Sequence, residues 1–479
     1  MSDWESVIGL EIHIQLMTKS KIFSSSSTAY GAVPNQQASY VDLGMPGTLP
    51  VLNEIVIKKA IEFGLAINGQ IAKQSIFARK NYFYPDLPKN YQISQLDLPI
   101  VEGGYIEIKN DQNKVKRINI LRAHLEEDAG KSIHSRKDDC TFIDLNRAGT
   151  PLLEVVSQPE LSSAKEAVEY MKKIHEIVTF LKISDGNMQE GSFRCDANVS
   201  VKKHNHKELG TRTELKNINS FKFVEKAINF EINRQIELIE EGGKVIQETR
   251  LYDENKNITK SMRSKEEAND YRYFPDPDLL PIEIDEEFIK EIKNKMSKLP
   301  DEKRVSYKEK YNLTEEQINI LLNNSELSNF ADATFIKSQV EPKKLMNYII
   351  SSIYLKMNKE KLSLQYITIS PDDFCKIIGA AEDKKISKGN IKEVIDIVSS
   401  TKEPIEKIIE KLSKTQDEDQ GNIDILIEKI IRENPKQTDD YKNGKTKILG
   451  FFVGQVLKKT DGSDPEMIKN KIIKMLDKV

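Results

Sequence analysis

Val7-Ile8-Gly9-Leu10-Glu11-Ile12-His13-Ile14-Gln15-Leu16 alternates apolar and polar residues over most of its length. Successive side chains of an extended chain point to opposite faces, so Ile8, Leu10, Ile12, Ile14 and Leu16 share one face and Glu11, His13 and Gln15 the other. The same period runs through Arg194-Cys195-Asp196-Ala197-Asn198-Val199-Ser200-Val201, with Arg194, Asp196, Asn198 and Ser200 opposite the apolar set. Such alternation belongs to an antiparallel sheet with one face on a core and the other left polar. A further strand is predicted through Ile118 and Ile120 toward Glu126. Ile100-Val101-Glu102-Gly103-Gly104-Tyr105-Ile106 predicts a hairpin, because paired glycines supply the positive φ of a tight turn.

Two helices punctuate these strands. One begins near Ser163, with Glu166 completing a capping box, and sets Val168, Met171, His175, Val178 and Leu181 at helical spacing. The other starts near Ser220 and stops at Gly242-Gly243. Strands dominate to about Pro281, and from about Asp285 the pattern is almost wholly helical. The expected class is therefore α+β: a mainly antiparallel sheet with helices over 1–290, a helical domain over 291–410 and a small all-α tail over 411–479. The polar stretch from Lys414 to Gln420 reads as a flexible hinge. Beyond it, Ile423, Leu426, Ile427, Ile430 and Ile431 form a helical stripe that ends before Pro435. Asp464-Pro465 then reads as the cap of a last helix carrying Ile468, Ile472 and Leu476. No internal repeat is evident.

The chain has 479 residues, which at roughly 150 residues per domain suggests about three domains. Hydrophobic residues at 38% beside charged residues at 31% suit globular cores under a charged surface. With Lys+Arg at 72 and Asp+Glu at 75, the net charge of -3 gives no global field for nucleic acid, so any polyanion site must be a local patch. Cys140, Cys195 and Cys375 are too scattered for a disulfide framework, which fits a reducing compartment. Met1-Ser2-Asp3-Trp4-Glu5 carries acid where a signal peptide needs base, and no early run could span a bilayer. These features point to a cytosolic protein, or one of an organellar matrix if the source is a eukaryote, without a membrane partner.

Two phosphate-loop decoys fall away. Ala129-Gly130-Lys131-Ser132 and Asn443-Gly444-Lys445-Thr446 resemble the end of a P-loop, but the upstream glycine is replaced by Leu125 and Asp439. Glu11 and His13, two apart on a strand and roughly 6.6 Å between Cα atoms, are spaced to share an ion. Glu126-Glu127-Asp128 offers further oxygen donors. Arg79-Lys80-Asn81-Tyr82-Phe83-Tyr84-Pro85-Asp86-Leu87-Pro88-Lys89-Asn90-Tyr91 concentrates cations and aromatics in a proline-fixed loop, a composition suited to phosphates and stacked bases. Arg147 and the polar face of Arg194, Asp196 and Asn198 add partners for phosphate or carboxylate. Each has a bland alternative: a solvated sheet face, a surface loop, an ordinary salt bridge. Together they favour Mg²⁺-dependent phosphoryl transfer from a nucleotide to an acceptor these residues do not name.

Four of these stretches carry a resemblance: Val7 to His13, Arg79 to Asp86, Leu125 to Lys131 and Asp144-Leu145-Asn146-Arg147-Ala148-Gly149-Thr150-Pro151-Leu152. Their order and spacing resemble the B subunits of the bacterial aspartyl/glutamyl-tRNA(Asn/Gln) amidotransferases. The likeness continues through Gly191 to Asp196, Glu214 to Ser220, Tyr271 to Asp278 and Gly450 to Gln455, covering essentially the whole chain. It implies a cradle-like catalytic domain, a helical domain and a tail that meets tRNA. It also implies ATP and Mg²⁺ as cofactors, a glutaminase A subunit and a small C subunit as partners, and misacylated tRNA, not DNA, as the nucleic acid. The expected activity is phosphorylation of the side-chain carboxylate of glutamate or aspartate on tRNA, followed by displacement of phosphate by ammonia from the A subunit. The resemblance implies Glu11, His13 and Glu126 as Mg²⁺ ligands, with Glu127 and Asp128 beside them. Lys80, Lys89, Arg147 and Arg194 are candidates for ATP phosphates or the acyl phosphate, and Tyr82 and Asp196 for positioning or a channel mouth.

One departure stands out. Relatives with a structural zinc hold it by cysteines where this chain has Ser24, Ser26, Ser39 and Asp42, and hydroxyls are poor zinc ligands, so no zinc is expected. Two other readings are a stand-alone carboxylate kinase or ligase and a non-catalytic tRNA-binding assembly subunit. Against the first stand the tail lysines Lys442, Lys445, Lys447, Lys458 and Lys459. Against the second stands the density of charged residues on otherwise apolar strands.

Overall fold

The computed structural model describes residues 3–134, 139–204, 206–264, 270–401, 403–459 and 465–477. The chain divides into two compact units, Met1–Ser306 and Tyr307–Val479. The boundary expected at 290/291 falls inside a helix, Glu286–Lys295, whose Ile292 is buried with the first unit's core and whose Ile289 packs against it.

The first unit is organised on β1 (Trp4–Gln15), β2 (Gln70–Ile71), β3 (Ala78–Asn81), β4 (Tyr91–Ser94), β5 (Val101–Glu102), β6 (Tyr105–Lys109), β7 (Val115–Glu127), β8 (Pro151–Ser157), β9 (Phe193–Lys203), β10 (Thr213–Lys216), β11 (Glu248–Asp253), β12 (Ile258–Ser264) and β13 (Phe274–Pro275). Ten of them form one sheet in the order β12-β11-β10-β9-β1-β8-β7-β5-β2, with β6 also on β7. Every pairing is antiparallel except β10 with β11. β13, β3 and β4 make a separate three-stranded sheet.

The alternation of β1 decides which face is covered. Ile8, Leu10, Ile12 and Ile14 are buried in a core shared with α1 (Glu54–Ala66), α2 (Ala164–Phe180) and α3 (Phe221–Glu240). Burying a side chain of this size stabilises the fold by roughly 1.5–3 kcal/mol, so a one-residue slip of β1, which would turn all four outward, is strongly disfavoured. α2 starts as the sequence predicts, with Ser163 Oγ accepting from Glu166 N–H at 3.2 Å. The reciprocal bond is displaced by one residue, because Glu166 accepts from Ser162 N–H at 2.8 Å and from Lys116 at 2.7 Å. α3 is capped by Ser220 and ends before Gly242, whose φ is +85°.

The predicted hairpin at Gly103-Gly104 is corrected. β5 and β6 do not pair with each other; both run antiparallel to β7, with Val101 opposite Ala123 and Tyr105 opposite Asn119. The two glycines, at φ +63° and +102°, interrupt one edge strand and do not reverse the chain. Gly103 N–H donates to Leu121 O and Ile120 N–H to Gly104 O, which keeps both halves on the same neighbour.

The second unit is helical. Its longest helix, Ile405–Glu433, runs without interruption through 414–420, where the sequence predicts a hinge. Its two ends serve different cores. Ile405 and Ile408 are buried at one end, where the helix packs on Pro371–Glu382 and Asn390–Thr401. Ile423, Ile427, Ile430 and Ile431 cluster at the other with Phe452, Val456, Ile468, Ile472 and Leu476. The predicted stripe is thus present and the helix ends before Pro435. Asp464, predicted to cap the last helix, lies outside the described residues. Among the described residues no helix is long and apolar enough to cross a membrane.

Candidate active site on the polar face of the sheet

With the helices covering one face, the other carries the polar side of the same strands. Cross-strand register sets out a row: Arg194 of β9 lies opposite His13 of β1, His13 opposite Glu154 of β8, and Glu154 opposite His124 of β7. One step along, Glu126 lies opposite Leu152, and one step back Glu11 lies opposite Asp196. Directly opposed residues sit about 4.5–5.5 Å apart, so strands distant in sequence bring these groups into contact.

At the centre, His13 Nε2 is 3.3 Å from Glu154 Oε2 and 3.8 Å from Glu126 Oε1. Burial alone would depress the His13 imidazolium, but Glu154, by hydrogen bond and by charge, and Glu126 outweigh it and push its pKa up to about 9. Burial and the facing Glu154 raise Glu126, while Glu154 is held well below the usual carboxylate range, against burial, by His124 and His13. Buried Glu126 and half-buried Glu154 are thus two carboxylates forced apart in acidity on either side of His13.

The donor set fits a divalent cation. One ligand atom each from His13, Glu126 and Glu154 lie within 4.8 Å of one another. Neighbouring ligands in an octahedron with bonds of about 2.1 Å stand about 3 Å apart, so small rotations suffice. Three donors would leave other positions for water and phosphate oxygens, and the imidazole admits Mn²⁺ as well as Mg²⁺.

Of the acids the sequence singles out, His13 and Glu126 meet in this group. Glu11 stands beside it on the same face, accepting from Asn198 Nδ2 at 2.9 Å, its carboxyl raised by burial and by Glu154, Glu214 and Asp196. Glu127 does not join them: its Oε1 is taken by the Lys89 ammonium and by Ile93 N–H at 2.9 Å. Asp128 is also occupied, accepting from Gln15 Nε2 at 3.0 Å and Arg194 Nη2 at 3.1 Å, with Arg147 Nε at 3.7 Å. The two arginines hold its carboxyl low despite burial.

The cations sort in the same way. Lys89 is spent on Glu127. Arg147 donates to Ala129 O at 2.9 Å and Gly130 O at 2.6 Å, which shapes the loop after β7. Arg194 leans on Asp128, yet its buried Nε has no partner among the described residues. Lys80, on β3, has no carboxylate within ion-pair distance among the described residues; it lies 4.9 Å from the Tyr271 ring centre and 5.8 Å from that of Tyr82. Burial works against its charge, but Glu126, Tyr273 and Glu154 outweigh it and raise its pKa. Tyr82 touches Gln92 at 3.4 Å, and burial raises its phenol. Asp196 is bonded to Lys216, which also meets Glu214 at 3.0 Å.

Glu154 escapes a reading of the sequence. Its signal is a lone acid in the apolar run Pro151-Leu152-Leu153-Glu154-Val155-Val156, which a buried strand carries only for a purpose. Lys216 and Tyr271 lie inside the stretches quoted above and His124 on the strand predicted toward Glu126, but spacing alone assigns them no role. Where zinc-binding relatives would have cysteines, Asp42 accepts from Ser24 Oγ at 3.0 Å, Ser39 N–H at 2.8 Å and Lys21 Nζ at 3.2 Å, a polar knot built without thiolates.

The residues that build this sheet and its polar face belong to a defined class of catalytic domain. Residues 6–290 match the family described as the GatB/GatE catalytic domain, and residues 331–476 match the GatB domain. The chain is 53% identical over 476 residues to the B subunit of the aspartyl/glutamyl-tRNA(Asn/Gln) amidotransferase of Alkalilimnicola ehrlichii, covering 99% of this chain and all of the relative. The B subunits of the same name from Halorhodospira halophila and Thioalkalivibrio sulfidiphilus are each 50% identical over 475 residues, with 99% of this chain and 99% and 100% of theirs aligned. The chain belongs to the family of aspartyl/glutamyl-tRNA(Asn/Gln) amidotransferase B subunits.

Proposed function

We propose that this chain amidates glutamate or aspartate misacylated onto tRNA for glutamine or asparagine, using ATP and ammonia. It works with a glutaminase A subunit, which supplies the ammonia, and a small C subunit. The observation that carries the reading is the meeting of His13, Glu126 and Glu154 on one partly buried polar face, beside a Lys80 that has no carboxylate partner among the described residues.

A free carboxylate is a poor acylating agent, so the side-chain oxygen attacks the γ-phosphorus and the bond to ADP breaks. Ammonia then adds to the carbonyl carbon, phosphate departs carrying the proton ammonia gives up, and the amide remains. His13, Glu126 and Glu154 would hold Mg²⁺, with Glu11 beside them, and the chemistry so supplied would be screening of the charge between ATP and the substrate carboxylate. Lys80 lies along the same face and holds the transferring phosphoryl oxygens, whose charge is greatest as the bond to ADP breaks. Arg194 offers its Nε to the same anion. Asp128 keeps Arg194 in place, and Arg147 fixes the loop that carries Asp128. Tyr82 and Tyr271 wall the Lys80 ammonium off from water. Lys89 and Glu127, already paired, brace β4 against β7, and Asp196 with Lys216 flanks the far side.

The three domains of the sequence reading give the division of labour: catalysis in 1–290, a helical connector in 291–410 and tRNA contact in 411–479. The cytoplasm is the compartment where such a translation enzyme works in a bacterium.

The test compares wild type, Lys80→Met and Glu126→Gln, each assembled with the two partner proteins, for conversion of Glu-tRNA to Gln-tRNA with ATP, Mg²⁺ and ammonium chloride. The expected result is a loss of about 100-fold or more in each variant, with tRNA affinity unchanged. Amidation by both variants at the wild-type rate would refute the proposal.

A further inference from the structure

One oxygen in the site is shared. Glu154 Oε2 lies 3.3 Å from His13 Nε2 and 3.4 Å from His124 Nε2, the two rings approaching from opposite neighbouring strands. They are not equivalent. His13 Nε2 also faces Glu126, whereas His124 falls outside the group of atoms close enough to share an ion. His124 is buried, and its Nδ1 has no partner among the described residues. His124 Nε2 thus stands at a distance from Glu154 Oε2 that a donated hydrogen bond spans.

From this asymmetry we propose that His124 is a positioning residue that keeps Glu154 aimed at the cation, an inference that rests on reading His13, Glu126 and Glu154 as its ligands. When an ion takes the lone pair of His13 Nε2, that nitrogen stops donating to Glu154. The His124 hydrogen bond is then the imidazole contact that remains, and it holds the carboxylate in the orientation the ion needs. Removing an outer partner of this kind weakens metal binding by about 10–100-fold in other proteins.

The test is the affinity of the full chain for Mn²⁺, read by electron paramagnetic resonance of the free ion, in wild type, His124→Gln, His124→Phe and Glu126→Gln. Glutamine places a donor near the position of Nε2, and phenylalanine fills the ring's volume without one. Binding should stay within about threefold of wild type in His124→Gln and weaken by about 10–100-fold in His124→Phe. Should His124→Phe fail to fold, His124→Asn, too short to reach Glu154, gives the same comparison. Wild-type affinity in the donor-free variant would overturn the inference, and so would an equal loss in His124→Gln, which would make the ring itself the requirement. Equal binding by wild type and Glu126→Gln would instead remove the cation reading on which the inference stands.

Discussion

Arg79 and Asp276 are joined across 197 positions of sequence, with the guanidinium Nε donating to the carboxylate Oδ2 at 2.8 Å. Asp278 accepts from Nη2 at 2.7 Å, and the guanidinium lies 4.1 Å from the Tyr91 ring centre. This clamp ties the segment Phe274 to Asp278 to β3 at the residue next to Lys80. Asp276 is buried and Asp278 exposed, so their replacements should differ. Asp276→Asn is expected to cost about 2 kcal/mol of stability, as the loss of a hydrogen-bonded charge partner does, and Asp278→Asn under about 1 kcal/mol. Thermal unfolding of the two variants checks this, and equal losses would count against the clamp.

A second ion pair fixes the loop before α1. Lys21 is 0% exposed, and its Nζ meets Asp42 at 3.2 Å and donates to Gln37 O at 2.6 Å. Burial lowers the lysine pKa, with Asp42 opposing the shift. Lys21→Met leaves Asp42 charged and buried and should destabilise the unit by about 3 kcal/mol. Adding Asp42→Asn removes that charge while keeping an acceptor for Ser39 N–H and Ser24 Oγ, so the double variant should recover part of the loss. Denaturant unfolding of the pair decides it; a double variant less stable than Lys21→Met would show that the charge left behind is not the cause.

Glu231, buried in α3, gives the pH dependence. It accepts from Thr213 Oγ1 at 2.7 Å, Gln235 Nε2 at 2.9 Å, Thr259 Oγ1 at 3.1 Å and Arg234. Burial would raise its pKa, but the hydrogen bonds from Arg234, Gln235 and Thr213 outweigh it and hold the carboxyl below its ordinary range. A depressed carboxylate contributes stability that is full above its unfolded value of about 4.3 and is lost as pH falls through the folded one. Glu231→Gln should therefore cost about 2 kcal/mol at pH 7 and progressively less below about pH 4. A cost that does not change between neutral and acid pH would rule this out.

The helix Ile405–Glu433 determines where the tail can be removed. Its first turns belong to one core and its last turns to another, so a cut after Thr415 falls between the two. Truncation there should leave the first unit's unfolding temperature unchanged and weaken tRNA binding by about tenfold or more at physiological salt. Unchanged tRNA affinity would remove the tail from the interface.

The residues explain what is legible in the sequence and what is not. In β1 and β9 the alternation is local and a whole face is buried, so strand, face and polar residues all follow from spacing. Gly103-Gly104 misleads because a turn and an interrupted edge strand demand the same positive φ; only the length of β7, which reaches past both halves, tells them apart. The stretch from Lys414 to Gln420 has the charged composition of a hinge, but glutamate, lysine and glutamine are also good helix formers, and the apolar ends of the helix hold its middle in place. Glu154 is hidden for a different reason. Its meaning comes from His13 and His124, which register brings to its two sides from far off in the chain.

If the polar face of this chain activates a carboxylate by phosphorylating it, one oxygen of that carboxylate must leave with the phosphate. Glu-tRNA labelled with 18O in the side-chain carboxylate is amidated by the assembled enzyme with ATP, Mg²⁺ and ammonium chloride, and the released phosphate is analysed by mass spectrometry. One 18O atom is expected in each phosphate formed per Gln-tRNA, with formation of both products suppressed by Lys80→Met. Phosphate free of label, released while Gln-tRNA forms at the normal rate, would contradict it.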